Sequence, residues 1–193
     1  MTQISFSLPD WVLAYQQDYQ TSLSIEDQMQ FVIEASRLNI HHQTGGPFAA
    51  AVIEIDTGRL LSLGVNLVTS EGLSVLHAEI VAISIAQRAK GTYDLGASDQ
   101  LGYALLSSTE PCAMCLGAIP WSGIRRLITA ATDQDARAIG FDEGCKPPGG
   151  LRSLEERGIK VITGVLRAEA AAVLQAYQQH GGPIYNSREG EPC

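Results

Sequence analysis

The sequence has little of what marks several large protein classes. Its 193 residues include only four cysteines and 18% charged residues, with no low-complexity tract and no internal repeat. Because apolar residues make up 45% of the chain, the composition is typical of a single domain that buries its core without disulfide bonds. No apolar run approaches the roughly 20 residues that a membrane-spanning helix needs, and no glycine-rich phosphate loop is present.

Positive charge is also scarce. The chain has 13 Lys and Arg residues against 21 Asp and Glu residues, which gives a net charge of −8. Proteins that bind polynucleotides usually carry a basic stripe that neutralises phosphates, whereas the only adjacent basic pair here is Arg125–Arg126. We therefore expect a small uncharged partner rather than a nucleic acid or a membrane. The first 36 residues lack Lys and Arg, unlike a secretory signal, so we expect a cytoplasmic protein.

Apolar periodicity predicts helices that alternate with short strands after an initial hairpin. This pattern is typical of an α/β sandwich with a mixed sheet. We expect an N-terminal arm at 1–25 and one domain at 26–193, which includes a C-terminal tail at 181–193. The predicted elements are a helix at 26–42, a hairpin of strands 48–55 and 59–65, a helix at 77–90, a strand at 103–108, a helix from Pro111, strands at 126–131 and 160–165, and helices at 151–157 and 167–179.

Two of the four cysteines lie three residues apart, directly after a proline, in the segment TEPCAMC at 109–115. Such a pair could be a redox dithiol, half of a structural zinc site, or part of a catalytic zinc site. A redox pair needs no histidine nearby. A structural zinc site usually has a second ligand pair at similar spacing, and Cys145 and Cys193 do not form one.

The segment HAE at 77–79 favours the catalytic site. At the start of a helix, Cys112 and Cys115 share one face, and the helix dipole lowers the pKa of their thiols. His77 brings the number of protein ligands to three, which leaves a fourth position for water, as in catalytic zinc sites. Zinc lowers the pKa of bound water from about 15.7 to about 7. Glu79 could then accept the water proton without binding the metal.

The combination H-x-E … P-C-x-x-C resembles the signature of the zinc-dependent cytidine deaminase superfamily. The segments GGPFAAAV, HAEI, EPCAMCLGAIPWSG, AIGFDEG and IYN, in this order, resemble the bacterial guanine deaminases of that fold. The resemblance implies a three-layer α-β-α sandwich with a five-stranded mixed sheet, one zinc ion per chain and a homodimer. It also implies hydrolytic deamination of a nucleobase, guanine, to xanthine and ammonia by a zinc-bound hydroxide.

The same resemblance implies roles for individual residues. His77, Cys112 and Cys115 would hold the zinc ion. Glu79 would carry the proton, and Glu143 would be a second acidic catalytic residue. The substrate-binding residues that the resemblance implies are Asn66, Phe48, Ala78, Trp121, Phe141 and Tyr185.

Several of these substrate-binding residues have a specific expected contact. Asn66 would pair with the edge of the purine, because a carboxamide offers both donors and an acceptor. Phe48 and Phe141 would sandwich the ring, and Trp121 would form a wall of the pocket. Tyr185 would belong to a segment that closes over the bound base and excludes water.

Three other functions remain open at this point. One is the same reaction on another small amino-heterocycle, such as cytosine, a pterin or an aminotriazine like ammeline. Another is deamination of adenosine in transfer RNA, which shares the zinc motif but does not suit the acidic composition. The last is a non-catalytic zinc-binding module in which Cys145 completes the coordination, although such a site has no use for Glu79.

Overall fold

The computed structural model describes residues 3–97 and 102–186, in which five strands form one mixed sheet. The strands are β1 (Ala49–Glu54), β2 (Leu60–Val65), β3 (Tyr103–Thr109), β4 (Arg126–Ala131) and β5 (Lys160–Ile162). Their spatial order is β2-β1-β3-β4-β5. Strand β1 is antiparallel to both of its neighbours, whereas β3, β4 and β5 are parallel. The predicted α/β fold with a five-stranded mixed sheet is confirmed.

Helices cover both faces of this sheet. Those of the described residues are α1 (Asp10–Gln17), α2 (Ile25–His41), α3 (Val68–Glu71), α4 (Ala78–Lys90), α5 (Ala113–Ser122), α6 (Asp133–Ala138), α7 (Arg152–Glu155) and α8 (Arg167–Gln179). Helices α2 and α8 pack on one face, and α4 and α5 pack on the other, which gives three layers. In the part of the chain that the structure describes, no helix combines the length and the apolar character needed to cross a membrane.

Strand β1 divides the core between the two faces. Successive side chains of a strand point to opposite faces of the sheet. Accordingly, Ala51 and Ile53 belong to the cluster on the α2 side, whereas Ala50 and Val52 belong to the cluster on the α4 side. All four side chains are at most 1% exposed. The central strand is therefore apolar on both faces, which is why it reads as a continuous apolar run in the sequence.

The predicted elements agree closely with the observed ones, with two differences. Strand β5 ends at Ile162 rather than at residue 165. Helices α1, α3 and α6 were not predicted, because helices of eight, four and six residues are too short to show a clear apolar period. Helix α6 buries only Ala136, but it has a polar start signal in Thr132 and Asp135.

The N-terminal arm is packed onto the rest of the chain. Val12 of α1 is fully buried in the same cluster as Met29 of α2. The Tyr19 hydroxyl donates to the carbonyl oxygen of Gly58 over 2.8 Å, in the turn between β1 and β2. The division of the chain after residue 25 stays a prediction, and residues 187–193 of the predicted tail lie outside the described residues.

The start of α6 yields the first testable prediction. The backbone N–H of Asp135 donates to Thr132 Oγ1 over 3.2 Å, the N–H of Thr132 donates to Asp135 Oδ2 over 2.8 Å, and Arg167 Nε donates to the same oxygen over 2.9 Å. We expect Asp135→Asn to lower the free energy of unfolding at pH 7 by about 0.3–1 kcal/mol, because asparagine can still accept from the N–H of Thr132 but lacks the negative charge that the start of a helix favours. The ion pair adds little because Arg167 is exposed to solvent.

The effect of Asp135→Asn should depend on pH. The hydrogen bond from Arg167 lowers the pKa of Asp135 below its ordinary value of 3.8. The carboxylate therefore contributes its full stability above that value, and the contribution is lost as the pH falls through the lower folded pKa. Urea unfolding at pH 7 and pH 2.5 measures the change, with Asp56→Asn in an exposed turn as control. If Asp135→Asn lowers the free energy of unfolding by the same amount at pH 7 and at pH 2.5, this account is contradicted.

Candidate metal centre and active site

The predicted metal ligands lie at the starts of two helices on the same face of the sheet. His77 is the N-cap residue of α4, and Cys112 is the N-cap residue of α5. Both have extended backbone, so each side chain projects beyond the first turn of the helix that follows. Cys115 lies in that first turn of α5 and is fully buried. Because α4 and α5 contact each other, the two helix starts bring all three side chains together.

The three ligand atoms form one compact cluster. The side-chain donor atoms of His77, Cys112 and Cys115 all lie within 4.8 Å of one another, and Cys112 Sγ is 3.4 Å from His77 Nδ1. Two thiolates and one imidazole are a donor set that suits zinc, and three protein ligands leave one position for water or substrate. Within residues 3–97 and 102–186, no other three metal-binding side chains lie this close together. The residues thus fit the zinc ion that the sequence motif predicts.

The electrostatics of the cysteine pair also favour metal binding. A hydrogen bond from Cys115, with a further contribution from His77, lowers the pKa of Cys112 to about 4. Cys112 is therefore a thiolate at neutral pH, which is the form that binds metal. The shared hydrogen bond and burial raise the pKa of Cys115. Metal binding would release the proton that Cys115 holds.

Glu79 lies beside the cluster, in the first turn of α4. Its side chain is buried, with 7% exposed. Cys115 Sγ and Ser107 Oγ each donate to one of its carboxylate oxygens over 3.4 Å. Burial is the main reason why the pKa of Glu79 is raised above its ordinary value. A carboxyl group with a raised pKa next to a metal position is suited to accept and return a proton.

A cavity of about 570 Å³ opens over the cluster, a size that suits a small molecule. Its lining includes nearly all of the side chains that the sequence predicts for the site. The predicted residues that line it are Phe48, Asn66, His77, Glu79, Cys112, Phe141, Glu143 and Tyr185.

Asn66 is held rigidly at the edge of this cavity. It is 1% exposed, and its backbone N–H donates to the carbonyl oxygen of Phe48 over 3.0 Å. Its side-chain Oδ1 accepts from the N–H of Val68 over 3.3 Å. That bond orients the carboxamide, and Nδ2 has no hydrogen-bond partner among the described residues. This nitrogen is a donor available to a ligand.

The two phenylalanines line the cavity but do not form a parallel sandwich. Their ring centroids are 4.9 Å apart and their planes are inclined by 70°, so Phe48 and Phe141 contact each other edge to face. Phe141 makes a second edge contact with Tyr185, at 5.0 Å between centroids. The predicted sandwich needs two rings far enough apart to admit a base, and this arrangement does not provide that space. The three rings form an aromatic wall instead.

Two predicted substrate-binding residues lie outside the cavity lining. Trp121 was expected to form a wall, but its side chain is 81% exposed. The reason is helical geometry, since Trp121 follows Cys115 by six residues and so points to a different side of α5. Ala78 is 1% exposed and packs in the core cluster between α4 and the sheet. Neither side chain can contact a ligand in this cavity within one chain.

The loop after α6 carries Glu143 to the cavity and is tied to the metal motif. The carbonyl oxygen of Glu143 accepts from the N–H of Ala113, the residue after Cys112, over 2.9 Å. Burial is the main cause that raises the pKa of Glu143 to about 8. At pH 7 this group is therefore mostly a neutral carboxylic acid that can donate a proton.

Ion pairs of Lys146 and Arg137 also restrain this loop. Lys146 Nζ lies 2.8 Å from Glu110 Oε1 and 2.7 Å from Asp133 Oδ1. Arg137 bonds Asp133 over 2.6 Å and donates to the carbonyl oxygen of Gly144 over 3.1 Å. These charges are partly buried and joined in a network, so they restrain the loop more than isolated surface pairs would.

The C-terminal segment closes over the cavity of its own chain. Asn186 Oδ1 accepts from the N–H of Asp142 over 2.9 Å, and its Nδ2 donates to the carbonyl oxygen of Gly140 over 2.8 Å. These two bonds flank Phe141 and fix Tyr185 against it. The sequence prediction named Tyr185 but not Asn186, although the segment IYN contains both.

Sequence reasoning also missed two polar residues of β3. Ser107 and Thr109 line the cavity. Thr109 Oγ1 and the Tyr185 hydroxyl are buried and have no hydrogen-bond partner among the described residues. Residues two apart on a strand share a face, so two hydroxyls directly before the cysteine motif were a usable signal. Buried hydroxyls without partners are rare, and both belong to residues that line the cavity.

Cys145 does not complete the metal site. It is absent from the ligand cluster, and its sulfur is bound in a disulfide. The alternative of a closed site with four protein ligands, including Cys145, is therefore wrong.

Comparison with known proteins agrees with this geometry. A solved guanine deaminase from Nitrosomonas europaea is 42% identical and superposes with a TM-score of 0.88, over 92% of this chain and 97% of that one. Guanine deaminase from Bacillus subtilis (strain 168) is 38% identical over 99 residues, which are 51% of this chain and 59% of that protein. The match therefore spans less than two thirds of the Bacillus relative.

Relatives with a different substrate match as well. A tRNA-specific adenosine deaminase from Bacillus subtilis (strain 168) is 31% identical over 137 residues, which are 68% of this chain and 76% of that protein. Residues 23–131, more than half of the chain, match the family described as the cytidine and deoxycytidylate deaminase zinc-binding region. This region contains both motifs whose side chains meet at the metal cluster. The chain belongs to the zinc-binding cytidine and deoxycytidylate deaminase family.

Proposed function

We propose that this protein is a zinc-dependent guanine deaminase that hydrolyses guanine to xanthine and ammonia. The observation that carries the proposal is the cluster of His77, Cys112 and Cys115 with the buried Glu79 beside it, at the base of a cavity of about 570 Å³. Support for guanine comes from the 42% identity over 97% of a solved guanine deaminase. This reaction is a step of purine breakdown, and a cytoplasmic location stays a prediction.

Proton transfer in the first step is assigned to Glu79. His77, Cys112 and Cys115 would hold the zinc ion, which would supply Lewis-acid activation of a water molecule near neutral pH. Glu79 accepts a proton from this water as its oxygen forms a bond to C2 of guanine. The Glu79 carboxyl then delivers the proton to a ring nitrogen, which we assign as N3. Burial, the main cause of its raised pKa, favours the protonated form that Glu79 needs between the two transfers.

Departure of the amine requires a second proton donor. Glu143 is held near the cysteine motif by the bond from Ala113, and burial, the main cause of its raised pKa, favours the protonated form that can donate. We assign protonation of the C2 amino group to Glu143 or to Glu79. The C2–N bond then breaks as the C2 hydroxyl returns a proton to the carboxylate that protonated the amine, and ammonia leaves. Guanine and water are thus converted to xanthine and ammonia with no further reactant.

Recognition of the base is assigned to the groups that line the cavity without partners. Asn66 Nδ2 would donate to an acceptor on the purine edge. The hydroxyls of Thr109 and Tyr185 are placed to bond other polar atoms of the base. Phe48 and Phe141 would contact the ring from the aromatic wall. Closure by Tyr185 would exclude bulk water from the reaction.

We also propose that the protein is a homodimer. Met114, Gly117 and Trp121 follow one another at spacings of three and four along α5, so they share one face of the helix. Met114 is 38% exposed and Trp121 is 81% exposed. Large apolar side chains grouped on one exposed helix face are typical of an interface. A second copy of this chain seated there would bury both.

The decisive test of the activity is ammonia release from a substrate panel. We expect release from guanine but not from cytosine, cytidine or adenine, because the metal site is common to the family and the cavity lining selects the base. Chelation of zinc should abolish release, and added zinc should restore it. Guanosine and ammeline in the same panel define the substrate range.

Other outcomes of this panel would change the assignment. Release from cytosine or ammeline alone would replace guanine by another amino-heterocycle. Silence on all of the small substrates, with inosine formation in transfer RNA that weakens with salt, would indicate the transfer RNA reaction. Turnover that survives complete removal of zinc would contradict the proposed mechanism.

The Glu79→Gln variant tests the proton carrier. Glutamine keeps the shape of the side chain but cannot accept the water proton, so we expect kcat to fall by at least about 10²–10⁴-fold. Zinc should remain at one ion per chain, because Glu79 is not one of the clustered ligands. Cys112→Ser provides the contrast, since it should lose zinc as well as activity in elemental analysis. Near-normal turnover by Glu79→Gln would remove this residue from the mechanism.

The Trp121→Glu variant tests the dimer. A charge placed on the exposed face of α5 should shift the protein from dimer to monomer in sedimentation experiments. Leu13→Glu is a matched control, because Leu13 is 50% exposed but lies on α1, on the other side of the sheet. An unmodified protein that sediments as a monomer, or a Trp121→Glu variant that remains dimeric, would contradict the proposed interface.

A further inference from the structure

A partly buried series of hydrogen bonds runs from the N-terminal arm to the side of the cavity where Asn66 and Phe48 lie. Its central residue is Asn39, in the last turns of α2, which is completely buried. Asn39 Nδ2 donates to the carbonyl oxygen of Gly46 over 2.8 Å and to the carbonyl oxygen of Asn66 over 2.9 Å. One side chain thus holds the two backbone segments that carry Phe48 and Asn66 into the cavity.

The other end of the chain fixes the orientation of this carboxamide. Trp11 Nε1 donates to Thr44 Oγ1 over 3.0 Å, and Thr44 Oγ1 donates to Asn39 Oδ1 over 2.7 Å. Carbonyl oxygens can only accept, so the carboxamide nitrogen of Asn39 faces Gly46 and Asn66, and the Thr44 hydroxyl, which accepts from the indole, donates its own hydrogen to the carboxamide oxygen. The oxygen of the Asn39 carboxamide therefore faces Thr44, and its nitrogen faces the two carbonyl oxygens. Each hydrogen bond from Trp11 through Thr44 and Asn39 to the two carbonyl oxygens therefore has only one possible donor.

The two segments held by Asn39 approach each other unusually closely. A Cβ atom at Gly45 would lie only 1.8 Å from the carbonyl oxygen of Asn66, so only glycine fits there. The N–H of Asn66 donates to the carbonyl oxygen of Phe48 over 3.0 Å. This contact and the two bonds from Asn39 together determine where the Asn66 side chain starts. Asn39 itself does not line the cavity.

We propose that Asn39 is a positioning residue for base recognition and that the N-terminal arm supports it through Trp11 and Thr44. The inference rests on the proposed function in one respect, namely that Asn66 contacts the base. Loss of the Asn39 donor leaves two buried carbonyl oxygens without their partner. The backbone at Gly46 and Asn66 then shifts to find other partners, and the Asn66 carboxamide moves with it.

Two substitutions of Asn39 separate its hydrogen bonds from its volume. Asn39→Leu keeps a similar branched shape but removes every hydrogen bond of the side chain. Asn39→Asp keeps the shape but turns a carboxylate oxygen toward the two carbonyl oxygens. We expect kcat/KM for guanine to fall by about 10–100-fold in both variants, as for a misplaced binding group. The fall should come mainly from a higher KM, with one zinc ion retained per chain, because Asn39 touches neither the metal ligands nor Glu79.

Substitutions of the other two residues in this series of hydrogen bonds should raise KM by graded amounts. Thr44→Val removes the bonds to Asn39 and Trp11, and Trp11→Phe removes only the outermost donor. We expect smaller increases in KM, with Thr44→Val larger than Trp11→Phe. Ser36→Ala is the matched control. Ser36 is 1% exposed on the same helix and donates only to the carbonyl oxygen of Ile33, so its loss should reduce stability without changing KM.

Hydrogen exchange provides a readout that needs no activity. The N–H of Asn66 should exchange faster in Asn39→Leu than in Ser36→Ala at matched global stability, because its bond to Phe48 is no longer supported. If the unmodified protein does not release ammonia from guanine, the proposed function fails, but the exchange measurement still tests the role of Asn39. If the Asn39 variants do not fold, Thr44→Val is used in the same way. A KM and an Asn66 exchange rate that match those of Ser36→Ala would overturn the proposal.

Discussion

The contact between β2 and the first turn of α4 is the constraint on which the site depends. A Cβ atom at Gly64 would lie 2.5 Å from the carbonyl oxygen of Ala78 and 2.4 Å from the N–H nitrogen of Ala82. Only glycine permits helix and strand backbones to approach this closely. The position of α4 in turn places His77 and Glu79 at the height of the cysteines of α5. A side chain at position 64 would lift α4 off the sheet and separate the histidine from the two thiols.

The site also concentrates groups of one charge sign in a buried place. Glu79 and Glu143 are 7% and 6% exposed, and the Cys112 thiolate raises the pKa of both carboxyls in addition to burial. Buried like charges are unfavourable unless a cation or a proton compensates them. Lys146 compensates in part, since it lowers the pKa of Glu143. A divalent metal at the three ligands supplies the larger compensation, so the fold and the metal favour each other.

Much of the fold and the metal cluster could be predicted because their signals are local. Helix α8 and strand β4 have the predicted bounds, and the ligands occupy helix starts that the proline and the HAE segment indicate. The arrangement of Phe48 and Phe141 could not be predicted, because it depends on how two distant loops pack. Asn39 shows the same limit. It is a polar residue in the buried stripe of a predicted helix, and its partners at positions 44, 46 and 66 are defined only in three dimensions.

The residues around the cavity come from two successive segments of the chain. The family region ends at residue 131 and contains Glu79 and the three side chains that cluster as metal ligands. Phe141, Glu143 and Tyr185 come after it, and the bonds of Asn186 seat this later segment over the cavity. Residues of this later segment, among them Tyr185 and Asn186, line the same cavity as His77 and Cys112. The cavity of about 570 Å³ that the two segments form together has a size that suits a small molecule.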